Sequence, residues 1–456
     1  MQKKLTRILI LCALAFSITV LTGCGTDNRP SPDDPVTLTM WHVYGSQTKS
    51  PLNTSIEKFN HTIGKEEGIT INVVSVTSSS AIDQALAAAT NQEPGAESLP
   101  DLFTAYPRVV EIVGAENLLP WDSYFSESEL TKFKAEFLQE GYFDDQLLML
   151  PVAKSTEAFY LNQTLFDRFA AETGIDTKRL ESYDGIFDVA KEYYDWSHGK
   201  HFFQFNDFYH YAYVGMQAAG KEFIKDGKLQ TNNAAFRRIW MPMAECAIYG
   251  GICLEDGYAA SRWKTAEIIA NIGSSADVLY QPEEVIYEDN TTERITVLAM
   301  PYPLFGSGEK HAVHRGGGLF AIKNEDERKN YAAAIFAKWL TEETNNLEFV
   351  TDAGYLPVTE QGLGALLSDV TIVENEKYHS IYEAVAEMTD TYTLHALPLY
   401  AGASAAQQDF EAQVKLVLRA ARQKYLDTQD TTVNKDRLIE TLARKSWEQL
   451  NAQVGN

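Results

Sequence analysis

The chain has 456 residues, 45% of them hydrophobic, and a formal net charge of −24 at pH 7. That length and apolar content suit two domains of ordinary size, each with its own core. So acidic a surface excludes nucleic acid and anionic lipid as general partners, yet screening over about 8 Å leaves room for a local basic pocket. At the start, Lys3, Lys4 and Arg7 precede an apolar run over 8–21 that ends in Leu21-Thr22-Gly23-Cys24. This is the order of a bacterial lipoprotein signal, and the run is shorter than the roughly 20 residues needed to span a bilayer. The expectation is removal of residues 1–23 and lipidation of Cys24. At least two acyl chains would then hold the protein at the outer face of the cytoplasmic membrane, where a single chain binds only marginally. Residues 24–35, rich in Pro, Gly and Asp, read as a flexible tether.

Order begins with VTLTMWHV at 36–43, whose alternation predicts a strand entering a loop at Gly45. ITINVVSV at 69–76 predicts a second strand, followed by Ser78-Ser79-Ser80 as a polar cap and the helix AIDQALAAAT. LFTAY at 102–106 repeats the pattern before a helical stretch ending near Asn117. Strands alternating with helices imply an α/β chain with a mainly parallel sheet, and ligands gather at the carboxyl ends of such strands. Tyr44, Ser79 and Tyr106 fall on those ends.

Further on, 141–152 reads as a hairpin around Asp144-Asp145, followed by STEAFYLN at 155–162. Helices dominate 163–265, AEIIANIG ends at Ser274-Ser275, and RITVLAMPYP at 294–303 begins a return. Gly316-Gly317-Gly318 lead into the strand LFAI and an amphipathic helix, and two long helices are expected at roughly 404–426 and 432–451. No repeat of 20–50 residues is present, which excludes solenoids and propellers.

Once Cys12 leaves with the signal and Cys24 is lipidated, Cys246 and Cys253 remain, and both a disulfide and two separate buried thiols stay open. No GxSxG, HExxH or P-loop motif occurs, and the nine histidines, His311 and His314 included, come with no ligand set. Asp101 and Glu157 are conceivable paired carboxylates, but 63 acidic residues guarantee such pairs somewhere. The expectation is a non-enzyme without metal or organic cofactor.

Several stretches then fall in a telling order: LTMWHVYG at 38–45, PDLFTAY and ENLLPWDSYF within 100–125, and GYFDDQLLMLPVAKSTEAFYLNQTLF at 141–166. They continue with EIIANIGSSA at 267–276, VLAMPYPLFGSG at 297–308, and GGGLFAIKNEDERKNYAAAIFAKWLTEE with DAGYLPVT across 316–359. In these the chain resembles the family 1 extracellular solute-binding proteins of ABC importers, the group with maltose- and glycerol-3-phosphate-binding proteins. The resemblance implies a two-lobed clamshell of the type II periplasmic-binding-protein kind with three interlobe crossings, near Ala153-Lys154, Leu298-Ala299 and Leu356-Pro357. Lobe one would comprise 36–153 plus 299–356, and lobe two 154–298 plus 357–456. It further implies a monomer that closes on a carbohydrate or polyol and presents it to permease subunits. Alternatives are a glycerol-phosphate-type ester, or a sensory role feeding a membrane receptor.

Carried over by position, the ligand-binding residues would be Trp41, Tyr44, Ser79, Tyr106, Ser155, Thr156, Ser274, Ser275, Gly317, Gly318, Tyr355 and Tyr400. Hydroxyl and backbone groups bond a polyol, and aromatic faces cover its C–H surface. Residues 193–213 hold ten aromatics and three histidines; Phe205 and Phe208 stand near the places where the glycerol-phosphate-type relatives carry ligand-contacting tryptophans. The arginine those relatives offer is missing from AGASAAQQDFE at 401–411. Lys310, His311, His314 and Arg315 could supply positive charge beside the Gly-rich turn and its N–H groups, but a solvated basic loop is the commoner explanation. An uncharged carbohydrate is therefore expected over a phosphate ester.

Overall fold

The computed structural model describes residues 29–454 apart from 45–49, 77, 307–308, 374–375, 399, 401 and 429–433. The signal segment and Cys24 lie outside the described residues. The first sheet is built around Val36–His42, which pairs in parallel with Ile69–Ser75 on one side and Leu102–Ala105 on the other. Gly318–Ala321 and Leu150–Pro151 complete its five strands, both in antiparallel pairs. The alternation in VTLTMWH has its expected meaning: Val36, Leu38 and Met40 are buried while Thr37 and Thr39 face outward. Trp41 points to the opposite face and packs with Ile82, Leu86, Phe103 and Phe320. The helix Pro51–His61 starts where Ser50 accepts the Asn53 N–H and proline takes the first turn.

The second sheet is organised on Ser155–Asn162, buried at all eight positions because both of its faces are covered. Its neighbours are His311–Arg315, Ala270–Ser274 and Val297–Met300, with Thr393–His395 and Phe203–Phe205 at the edges. One face carries an aromatic core that includes Phe159, Tyr183, Phe187 and Tyr211; the other packs Tyr160 with Trp263 and Tyr382. Three long helices, Ala234–Tyr249, Ala403–Asp427 and Lys435–Val454, close the outside of this lobe. Trp240 joins them by donating from its indole nitrogen to Ala443 O at 3.2 Å.

The clamshell is present, but the crossing expected near Leu298-Ala299 is not there. Val297–Met300 stays in the second sheet, paired antiparallel with 159–162, and so does His311–Arg315, paired with Thr393–His395 and Ser155-Thr156. The chain passes to the first sheet only at Gly316-Gly317. Backbone packing explains the place: Gly316 has φ +117°, and a Cβ on it would lie 2.6 Å from Ala153 O, while one on Gly317 would lie 2.3 Å from Ala105 O. Residues 299–315 therefore go with lobe two. The remaining connections run side by side, with Lys154 N–H donating to Leu356 O at 3.1 Å and Leu356 N–H to Lys154 O at 2.7 Å.

Cys246 and Cys253 are separate buried thiols, and burial pushes both pKa values up, away from the reactive thiolate. Among the described residues no helix is long and apolar enough to cross a membrane.

Candidate functional site

The segments that follow the strands ending at Ala105 in lobe one and at Phe205 in lobe two bring Tyr106, Arg108, Tyr209 and His210 to one place. Between the lobes lies a cavity of about 190 Å³, walled by Tyr106 and Arg108 on one side and by Tyr209, His210, Arg315 and Gln407 on the other.

The lobe-two wall is an ionic network. Glu157, 1% exposed on the central strand, accepts from His210 Nδ1 at 2.7 Å and from Arg315 Nη1 at 3.0 Å. Burial opposes the Arg315 charge, but Tyr106, Glu157, Asp207 and Asp277 around it more than offset that and hold its pKa above the usual range. Asp207 caps the helix Phe208–Ala218 by accepting the His210 N–H at 2.9 Å, and its other oxygen accepts from Gln407 Nε2 at 2.9 Å. Glu411 accepts the Tyr209 N–H at 2.6 Å. Burial, together with the neighbouring Asp207 carboxylate, pushes Glu411 well above the usual carboxylate range; against its own burial, Asp207 is held low by His210 and Arg315. Asp277 is raised to about 6 by burial, with Arg315 opposing, and accepts from Asn206 Nδ2 at 2.6 Å.

A second ionic group sits at the hinge. Glu140 lies 2.6 Å from His314 Nδ1 and accepts from Lys154 Nζ at 2.8 Å, while the same ammonium donates to Gly316 O at 3.2 Å. His314 and Lys154 hold the Glu140 pKa below its usual value despite burial. This group joins lobe one to two of the crossings.

The residues anticipated from the sequence divide. Tyr44 and Tyr355 meet edge to face with centroids 5.1 Å apart, and Tyr106 lies close to both. Trp41, 4% exposed, is part of the lobe-one core. Phe205 and Phe208, each 2% exposed, stack into the lobe-two core with centroids 4.9 Å apart and turn no face to the cleft. Ser275 Oγ accepts the Thr156 N–H at 3.3 Å, Thr156 Oγ1 donates to Val313 O at 2.8 Å, and Ser155 is buried beside them. Ser274 caps its own turn by accepting the Ala276 N–H at 3.2 Å. These hydroxyls stitch strands together. Gly317 and Gly318 serve the close crossing, Tyr400 sits half-buried near Tyr209, and Ser79 opens the helix Ser79–Thr90.

The solvated basic loop is corrected as well. His311–Arg315 is a strand whose charged groups find internal partners: His314 meets Glu140 and Arg315 meets Glu157. Lys310 donates to Glu387 at 3.2 Å over the ring of Tyr392, and His311 pairs with His395 at 2.8 Å. Asp101 is remote in role from Glu157, since it binds Thr39 and Lys329 within lobe one. The sequence reading passed over Asp207, His210 and Asp277. Asp207-Phe208-Tyr209-His210 did carry a readable signal, an aspartate cap followed three residues later by histidine. Nothing local announces that Glu157 and Arg315, 158 positions apart, will meet. Among the described residues no group of three or more His, Cys, Asp or Glu is placed to hold a metal ion.

Comparison with curated proteins by sequence finds no match. Among solved structures, the cyclic α-maltosyl-1,6-maltose binding protein of Arthrobacter globiformis is 17% identical with a TM-score of 0.61, over 92% of this chain and 100% of that one. An ABC substrate-binding protein of Listeria monocytogenes, solved with cycloalternan, is 15% identical at 0.66, over 92% and 100%. UgpB of Mycobacterium tuberculosis, solved with glycerophosphocholine, is 14% identical at 0.65, over 92% and 99%. At such identities the likeness establishes the fold. The family profile described as bacterial extracellular solute-binding protein matches residues 54–369, well over half the chain, and the chain belongs to that family.

Proposed function

We propose that this chain captures an uncharged carbohydrate between its lobes, is held to the outer face of the membrane by acyl chains on Cys24, delivers its solute to an ABC permease and performs no chemistry on it. The observation that carries the carbohydrate reading is the charge balance of the cavity wall. Arg108 is matched by Asp83 at 2.6 Å and Arg315 by Glu157 at 3.0 Å. A phosphate is held by charge-assisted bonds, and each of these arginines already shares its charge with a carboxylate, which weakens its pull on an anion although N–H groups remain. What the wall offers instead is the phenols of Tyr106 and Tyr209, the Gln407 amide and aromatic faces, the groups that suit a polyol. The neighbours named for cyclic α-maltosyl-1,6-maltose and solved with cycloalternan support the same class.

Micromolar binding corresponds to about 8 kcal/mol, and neutral hydrogen bonds contribute about 1 kcal/mol each. Several bonds from both lobes are needed at once, which makes closure part of binding. A glycerol-phosphate-type ester is the second reading, favoured by the two guanidiniums, Arg108 and Arg315, that face the cavity. Calorimetry against neutral sugars, polyols and glycerol-phosphate esters separates the two. A neutral sugar is expected to bind at micromolar affinity or tighter, with Arg108→Ala having little effect. Selective binding of a phosphate ester that collapses on Arg108→Ala would reverse the assignment.

A further inference from the structure

We propose, building on the reading of the interlobe cavity as a carbohydrate site, that His210 and Asp207 form its specificity-determining pair and recognise one hydroxyl group of the solute. His210 is 1% exposed and lies on the cavity wall. Its Nδ1 faces the Glu157 carboxylate at 2.7 Å and serves there as donor, but its Nε2 has no hydrogen-bond partner among the described residues. A buried polar atom left so is costly and calls for an explanation. Asp207 Oδ2 stands 3.5 Å from Nε2, too far for a good bond, and already takes the Gln407 amide at 2.9 Å. The Asp207 carboxylate also takes a hydrogen bond from Glu411, and of its roughly four lone-pair sites one remains to offer.

A hydroxyl is the group that fits this pair. It donates and accepts together, so where Nε2 carries a proton one hydroxyl accepts from Nε2–H and donates its own proton to Asp207 Oδ2. A phosphate or carboxylate oxygen only accepts and would meet the Asp207 charge head on; a methyl group would leave Nε2 unpaired. Arg315 gives one of its N–H groups to Glu157 at 3.0 Å and keeps others, so what opposes an anion at this pair is the Asp207 carboxylate. The pair thus rejects anions by the same geometry that admits polyols. A site built to bond a hydroxyl discriminates strongly against analogues lacking it, since the buried groups are then stranded.

Substitution can separate the two ring nitrogens. In His210→Asn the amide nitrogen stands close to the Nδ1 position and keeps the bond to Glu157, while nothing occupies the place of Nε2. In His210→Gln the amide reaches toward Nε2. Calorimetry of a panel of neutral mono- and disaccharides, with glycerol 3-phosphate as the anion, is run on the unaltered protein and both variants. The expected result is a fall of at least tenfold, and roughly up to a hundredfold, in sugar affinity for His210→Asn, with unchanged melting temperature and partial recovery in His210→Gln. Unchanged sugar affinity in His210→Asn overturns the pair and leaves the carbohydrate reading standing. If no neutral member binds the unaltered protein, the carbohydrate reading falls and the pair with it. Should His210→Asn melt lower, the imidazole ¹⁵N signals of His210 in the unaltered protein decide. A shift of Nε2 on saturation with the bound sugar supports the pair, and an unmoved signal overturns it.

Discussion

The two walls of the cleft are made of different chemistry. Lobe one brings Tyr106 and Arg108 to the cavity and packs aromatic rings elsewhere in the lobe, where Tyr44 meets Phe349 at 5.4 Å and Tyr355 at 5.1 Å, both edge to face. Lobe two presents charges, with Glu157 between His210 and Arg315, and Asp207, Glu411 and Asp277 near them. Rings lose little when water leaves and cover a solute without demanding a particular donor. Buried charges persist only when each is paired. A solute therefore has to fit the bonding pattern that lobe two already holds, whereas lobe one governs how well it is covered. On this contrast, disturbing lobe two should cost stability and alter pH dependence, and disturbing lobe one should mainly cost affinity.

The largest expected effect is that of Glu157→Gln. It removes the charge shared by Arg315 and His210 while conserving shape, and breaking a buried pair from one side costs about 3–5 kcal/mol. Urea unfolding measures it. A loss under about 1 kcal/mol, the worth of a surface pair, would dissolve the contrast between the walls.

Next comes Asp277→Asn. The Asp277 pKa rises from an unfolded reference of 3.8 to about 6 on folding, through burial, so the folded state holds the proton more tightly. Its contribution to stability is complete below about pH 3.8 and is lost as pH rises through about 6. The loss amounts to at most about 3 kcal/mol. Asp277→Asn should remove this fall, gaining on the unaltered protein at pH 7 and losing the advantage below pH 4. Melting curves across that range test it, and parallel profiles for the two proteins would show that Asp277 titrates normally.

The smallest effect on stability belongs to Tyr355→Leu. An edge-to-face pair contributes about 0.5–1.5 kcal/mol beyond area burial, so unfolding should show a loss near 1 kcal/mol. Calorimetry should show sugar affinity falling while the anion discrimination of lobe two persists. A stability loss matching that of Glu157→Gln would mean that the aromatic wall is as much a part of the scaffold as the ionic one.

Much of the architecture is local and was therefore readable. Alternation in VTLTMWH specifies which side chains turn inward, Ser50 and Ser78 announce helix starts, and the hairpin over Tyr142–Leu147 follows from Asp144-Asp145. The order of such pieces was enough to indicate a clamshell and its family, and the strand end visible before Tyr106 pointed to a residue that lines the cavity. What tertiary structure alone decided was the sheet each strand joins and the partner each charge finds. Val297–Met300 reads as a strand in either lobe; only its pairing with 159–162 assigns it to the second. HAVHR reads as a solvated basic segment until the central strand brings Glu157 beside Arg315 and the hinge brings Glu140 beside His314. Phe205 and Phe208 resemble ligand platforms until the lobe-two core closes over them. Strand and helix propensity act over a few residues, so sequence carries them openly. Sheet membership, burial and charge pairing depend on residues more than a hundred positions apart, and no local pattern encodes them.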